Sequence, residues 1–154
     1  MIINKKGFTI IEILVIIAVL IILIGLAIPR FRAMQDNANI AKARGELQTL
    51  QAAVESYYIT PPAGTLKAFP PSTVGISFFL TGDVPLIVAA PIYDPWGAGG
   101  TTEYNYVLSA NSRFYVIGCM GIDGAYTSGA LGIGSGGVVT KDPDDYCVTN
   151  GNGC

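Results

Sequence analysis

Among residues 8–28 the only ionisable side chain is the carboxylate of Glu12. On insertion scales a charge in such a segment costs about 2.5–3.5 kcal/mol at the bilayer centre, so an acid there implies a function and a positive partner. The other reactive groups are the thiols of Cys119, Cys147 and Cys154. An exported domain meets an oxidising compartment, where three thiols allow one disulfide and leave one over. Cys147 with Cys154 closes a short Gly/Asn-rich loop and is the expected pair, whereas Cys119 with either tail cysteine would pin the chain end onto a sheet. Histidine is absent. That removes the commonest general base and a common metal ligand, and makes a Ser-His-Asp or Cys-His site impossible. No paired carboxylate motif replaces them, so the chain reads as a structural protein and not an enzyme.

The segment that carries Glu12 is an apolar helix in prospect. Twenty-one residues, 8–28, span about 31 Å as a helix, enough to cross a bilayer core. A secretory signal with Lys5 and Lys6 as its basic region and Gly25-Leu26-Ala27 as its cleavage site is the rival reading, but the apolar run is too long and contains an acid. Lys5 and Lys6 on one side balance Arg30 and Arg32 on the other, so flanking charge alone does not orient the segment. Pro29 lacks an amide hydrogen and Gly25 lies one turn earlier, which predicts a bend or local unwinding between them.

Beyond Pro29 the apolar residues Ile40, Leu47, Leu50, Val54 and Tyr57 recur at helical spacing, with Asn39, Lys42, Glu46 and Gln51 between them. That is one face of an amphipathic helix. The expected helix runs over 8–58 and stops at Thr60-Pro61-Pro62-Ala63-Gly64. Residues 59–92 are broken by Pro70, Pro71, Pro85 and Pro91 around pieces such as Ser77-Phe78-Phe79-Leu80. Residues 103–109 and 113–119 read as a hairpin turning at Ala110-Asn111-Ser112, with Tyr104, Tyr106 and Leu108 on one face. After Met120 glycines crowd the chain, including Gly129, Gly132, Gly134, Gly136 and Gly137, and a loop is expected. The fold class is therefore α+β, a long helix packed on a small antiparallel sheet. A formal net charge of −2, without a basic patch, argues against nucleic acid as the main ligand.

Lys5-Lys6-Gly7-Phe8-Thr9-Ile10-Ile11-Glu12-Ile13-Leu14 closely resembles the signature of prepilins, the precursors of type IV pilins and type II secretion pseudopilins. The resemblance implies a pilin-like fold and a prepilin peptidase cut between Gly7 and Phe8, with N-methylation of Phe8. Residues 1–7 would be a cytoplasmic leader, 8–29 a transmembrane and filament-core helix, 30–58 its amphipathic half and 59–154 a globular head. Losing Lys5 and Lys6 would take the formal charge from −2 to −4. Glu12 would face the N-terminal amine of a neighbouring subunit, and the bend at Gly25 and Pro29 would let stacked helices adjust.

Tyr93-Asp94-Pro95-Trp96-Gly97 and Gly121-Ile122-Asp123-Gly124 further resemble the major pseudopilin of the type II secretion system. In that branch the loop after the last long strand binds calcium. Carried over by motif position, Asp123 and the Met120 carbonyl would be ligands, with Asp144 or Asp145 supplying a second carboxylate. A long Gly/Ser-rich stretch between Asp123 and Asp145 departs from the pattern. So do the cysteines and the missing C-terminal tryptophan, which lean towards a true type IV pilin. Trp96 beside Pro95 is expected to be a packed turn and not a ligand platform.

Together these readings predict a filament subunit stored in the inner membrane by a single span, its head in the periplasm. Its partners would be identical subunits, the prepilin peptidase, an assembly platform and a motor ATPase. The filament would be a secretion pseudopilus, or else a surface pilus serving adhesion, twitching or DNA uptake. The reading of another class is an anchored binding domain that never polymerises.

Overall fold

The computed structural model describes residues 7–61, 64–72, 92–125 and 131–154. Lys5 and Lys6, the Phe78-Phe79 piece and Gly129 lie outside them. Helix α1, Ile10–Ile59, is followed by strands β1 (Asn105–Leu108), β2 (Tyr115–Cys119), β3 (Gly132–Ile133), β4 (Val139–Thr140) and β5 (Tyr146–Thr149). Contacts divide the chain into two units, Met1–Ala38 and Asn39–Cys154. The boundary falls inside the amphipathic half expected from residue 30, because the first buried side chain on the helix is Ala43.

In the first unit α1 is apolar all round over residues 13–28, and all of those residues are exposed. An 18-residue window of it has a mean hydropathy of 3.3 with none of it buried, and by length and composition it could cross a membrane. Pro29 sits inside α1, and the helix continues through it without a break. The missing amide hydrogen is the one that would have bonded the Gly25 carbonyl, four residues earlier. A Cβ on Gly25 would meet open space, so close packing within this chain does not require glycine there.

The second unit holds the core. Ala43, Leu47, Leu50, Ala53 and Val54 of α1 are buried against Tyr104, Tyr106, Tyr115, Ile117 and Cys119. The helical stripe thus lies under one face of the sheet, with Ile40 and Tyr57 half-buried at its ends. Burying Leu47 and Leu50 contributes about 2 kcal/mol each. α1 ends at Ile59, where Thr60 still donates to the Ser56 carbonyl at 2.8 Å before the prolines.

The sheet has the order β1-β2-β5, antiparallel throughout. The expected hairpin is β1 and β2, with Tyr106 opposite Ile117 and Leu108 opposite Tyr115. Its turn is closed by Ser109 N donating to the Phe114 carbonyl at 2.8 Å. Ser112 takes the left-handed conformation at φ 56° while Asn111 Oδ1 accepts from Ser109 Oγ and Arg113 N. β2 is central and buried along its whole length. Tyr115, Ile117 and Cys119 join the helix-side core, and the opposite face is covered by Leu131, whose methyl would lie 2.7 Å from a Cβ on Gly118.

The region after Met120 differs from the expected loop. It forms the small β3–β4 ribbon and then β5, which pairs Val148 with Ile117 and Cys147 with Gly118. Cys147 and Cys154 are disulfide-bonded, with Cα atoms 5.3 Å apart, so the tail is tied to the edge strand of the sheet. Cys119 is a buried free thiol.

Candidate functional site

Two places gather the residues singled out above, one in each unit. At the start of α1, Glu12 N donates to Thr9 Oγ1 at 3.3 Å, and Thr9 N donates to a Glu12 carboxylate oxygen at 3.5 Å. Thr9-Ile10-Ile11-Glu12 is therefore a reciprocal capping box, each side chain satisfying an amide that the helix leaves unpaired. Glu12 N and Ile13 N also reach the Thr9 carbonyl, at 3.1 and 3.3 Å. Gly7 and Phe8 precede the helix in exposed, non-helical chain, with Phe8 74 % exposed. The Thr-x-x-Glu spacing announces this cap in the sequence, although Thr9 carries no charge to mark it.

In the second unit, the loop after β2 is built on two buried aspartates. Asp94 opens the Asp-Pro-Trp-Gly turn. Trp96 N donates to its Oδ1 at 2.9 Å, and Met120 N, at the end of β2, donates to its Oδ2 at 2.8 Å. Asp145 does the same from the other side, accepting from Gly121 N at 3.0 Å and from Asp142 N at 3.3 Å. Burial raises the pKa of both carboxyls, and the backbone amides pull against that effect; the nearby Glu46 raises Asp94 further. Each aspartate pins one loop to the next.

Met120, Asp144 and Asp145 are brought together around Gly121. A Cβ on Gly121 would collide with the carbonyl and carboxylate of Asp144, so glycine is required by this close approach. Asp123 lies on the exposed side of the same turn, where Oδ1 accepts from Ala125 N at 3.0 Å. The Lys141 ammonium donates to the carbonyls of Asp142 at 3.1 Å and Asp145 at 2.8 Å. Among the described residues no three His, Cys, Asp or Glu side chains are grouped so as to hold a metal ion. Asp94 and Lys141 were not foreseen. An aspartate before proline is a turn signal for the first, but no sequence signal marks the second.

Trp96 packs into this region. Its ring stacks on Tyr146 at 5.9 Å and 13°, and the Arg44 guanidinium lies 5.3 Å from the Tyr146 ring centre. The tryptophan is a packed turn, as expected. Hydroxyls on the sheet tie the head to α1 and the linker. Tyr104 donates to Glu46 at 2.6 Å, Tyr115 to Glu55 at 3.1 Å, and Tyr106 to the Pro70 carbonyl at 2.9 Å. Glu46 and Glu55 are thus anchors for buried phenols, although the helical pattern assigns Glu46 to the polar face. Burial, reinforced by the acceptor carboxylate, pushes the Tyr104 phenol far above its ordinary value. Burial also pushes the Cys119 thiol up to about 12, which leaves it protonated and unreactive near neutrality.

No protein-family model matches the chain, and no solved structure matches it. It is similar to the type II secretion system core protein G of Pseudomonas aeruginosa, 26% identical over 132 residues, covering 79% of this chain and 86% of that protein. The long apolar N-terminal helix, the small antiparallel sheet packed on its second half and this similarity over most of the chain together support a pilin-like family for the protein.

Proposed function

We propose that the chain is the structural subunit of a helical filament, the pseudopilus of a type II secretion system. The observation that carries this reading is the uncovered helix. Every described residue from 7 to 35 is exposed, yet residues 10–28 are apolar apart from Glu12. Such a surface demands either lipid or other copies of itself. Similarity to core protein G points to the second as its working state.

In this reading the peptidase cuts between Gly7 and Phe8, and Phe8 becomes the methylated N-terminus. The subunit waits in the inner membrane with its head in the periplasm until the assembly platform and motor ATPase extract it. Glu12 then meets the terminal amine of a neighbouring copy. Two opposite charges attract strongly in a low-dielectric core, and either alone is costly to bury, so the pair selects one register between helices. The Gly25 carbonyl loses its usual amide donor at Pro29, which gives the helix a place to loosen as copies pack.

Glu12→Gln tests this directly. Glutamine keeps the capping box and removes the charge, so the variant should enter the membrane and yet fail to form filaments. Normal filament yield from Glu12→Gln sinks the proposal, as does a mature protein that does not begin at Phe8 by intact mass. A surface pilus is the second reading. It is favoured by the Cys147–Cys154 bridge across the C-terminal loop, and long fibres on the cell surface would select it.

A further inference from the structure

Calcium favours six to eight oxygen ligands, and the loop after β2 is where the family resemblance would put it. The carboxylates of Asp94, Asp123 and Asp145 there already accept backbone amides. Both Asp145 oxygens face backbone amides, at 3.0 Å from Gly121 and 3.3 Å from Asp142. Both Asp94 oxygens face the amides of Trp96 and Met120. Asp123 holds Ala125 N with Oδ1. The carbonyls that could complete a shell, Asp142 and Asp145, already converge on a cation. The Lys141 ammonium sits 3.1 and 2.8 Å from them. A divalent ion on those carbonyls would be a near neighbour of that ammonium and would be repelled by it.

The geometry also shows what a cation is needed for. Asp142, Asp144 and Asp145 stand within four residues, and the carbonyls of Asp142 and Asp145 face the same way. An ammonium bonded to both carbonyls ties the chain across this turn at the start of β5. We propose that the Lys141 ammonium takes the place of a divalent cation here, so that the C-terminal loop folds and persists without calcium. A lysine suits the task. Its ammonium carries three donors on a flexible stem and can meet two carbonyls at once. The disulfide between Cys147 and Cys154 supplies a second, metal-free closure immediately downstream.

The test uses the full-length chain in detergent micelles and does not depend on filament formation. Scanning calorimetry with a chelator and then with millimolar calcium should give head transitions within about 2 °C of each other. Lys141→Met keeps the stem and removes the charge, and should lower the transition by about 5 °C. Lys141→Arg, which keeps the charge, should recover at least half of that loss. A purely packing role for the stem predicts the reverse order, with methionine the milder change. Terbium titration of the unmodified chain is the independent arm, and weak, unsaturable luminescence is expected. Saturable terbium binding displaced by calcium overturns the proposal, as does a calcium-dependent rise in the transition or a Lys141→Met variant as stable as the original. Should Lys141→Met fail to fold, the chelator and terbium measurements on the unmodified chain still decide.

Discussion

The two halves of α1 have the same backbone and opposite fates. From Asn39 onward the helix buries Ala43, Leu47, Leu50, Ala53 and Val54 under Tyr104, Tyr115 and Ile117, and its polar side keeps Lys42 and Glu55 in water. Before Ala38 a greater density of isoleucine, leucine and valine lies exposed, covered by no other described residue. The difference teaches that apolar content alone does not make a core. A stripe at helical spacing finds its partner within the chain, whereas a helix that is apolar all round must find one outside it.

The sharpest way to break this comparison is at Glu12. Glu12→Gln should reduce filament yield by more than about 10-fold while leaving the head transition unchanged, since the capping box survives. Thr9→Ala makes the opposite cut, removing the cap and keeping the charge; its filament yield should fall less than about 3-fold. If the two variants fall equally, Glu12 acts through the helix cap and not through its charge.

On the head side, Leu50→Ala should destabilise by about 3 kcal/mol, read from calorimetry of the full chain, with membrane insertion intact. Cys147→Ser or mild reduction should cost about 2.5 kcal/mol, the loop-closure value for so short a ring. Tyr104→Phe should cost about 1.5 kcal/mol, because it leaves Glu46 half-buried without its phenol donor.

The smallest effect is that of pH. The Asp94 and Asp145 carboxyls have pKa values raised by folding, so each favours the folded state most below its unfolded value. That contribution is lost as pH rises through the folded values. The head transition should therefore climb slightly as pH falls from neutrality towards the ordinary carboxylate value, and Asp94→Asn should flatten part of the slope. A transition that falls steadily over the same range would contradict the direction given for both groups.

Much of this was legible in advance because it rests on local periodicity. Leu47, Leu50, Val54 and Tyr57 mark a stripe, and alternation at Tyr104 and Tyr106 marks a strand, so α1 and the β1–β2 hairpin follow from pattern alone. β5 did not, although Tyr146-Cys147-Val148-Thr149 is rich in strand formers. Its partner is β2, with Val148 opposite Ile117, and nothing local to the tail reveals so distant a pairing. The surrounding glycines reinforced the impression of loop, whereas Gly118 and Gly121 are there to let Leu131 and Asp144 approach. At the site, Met120, Asp144 and Asp145 do meet around Gly121. The links that hold them, from Asp94 and Lys141, are long-range side-chain contacts that spacing cannot show.

The indole of Trp96 has a practical value. It is the sole tryptophan of the chain, its ring lies flat on Tyr146, and its Nε1 is shielded from solvent with no partner among the described residues. Emission excited at the red edge of the absorption band therefore comes from the folded head and from nowhere in α1. Loss of the C-terminal strand would free the ring and shift its colour, while events confined to the apolar half of α1 would leave the signal untouched. A built-in optical probe of one half, blind to the other, comes with the native chain and needs no label.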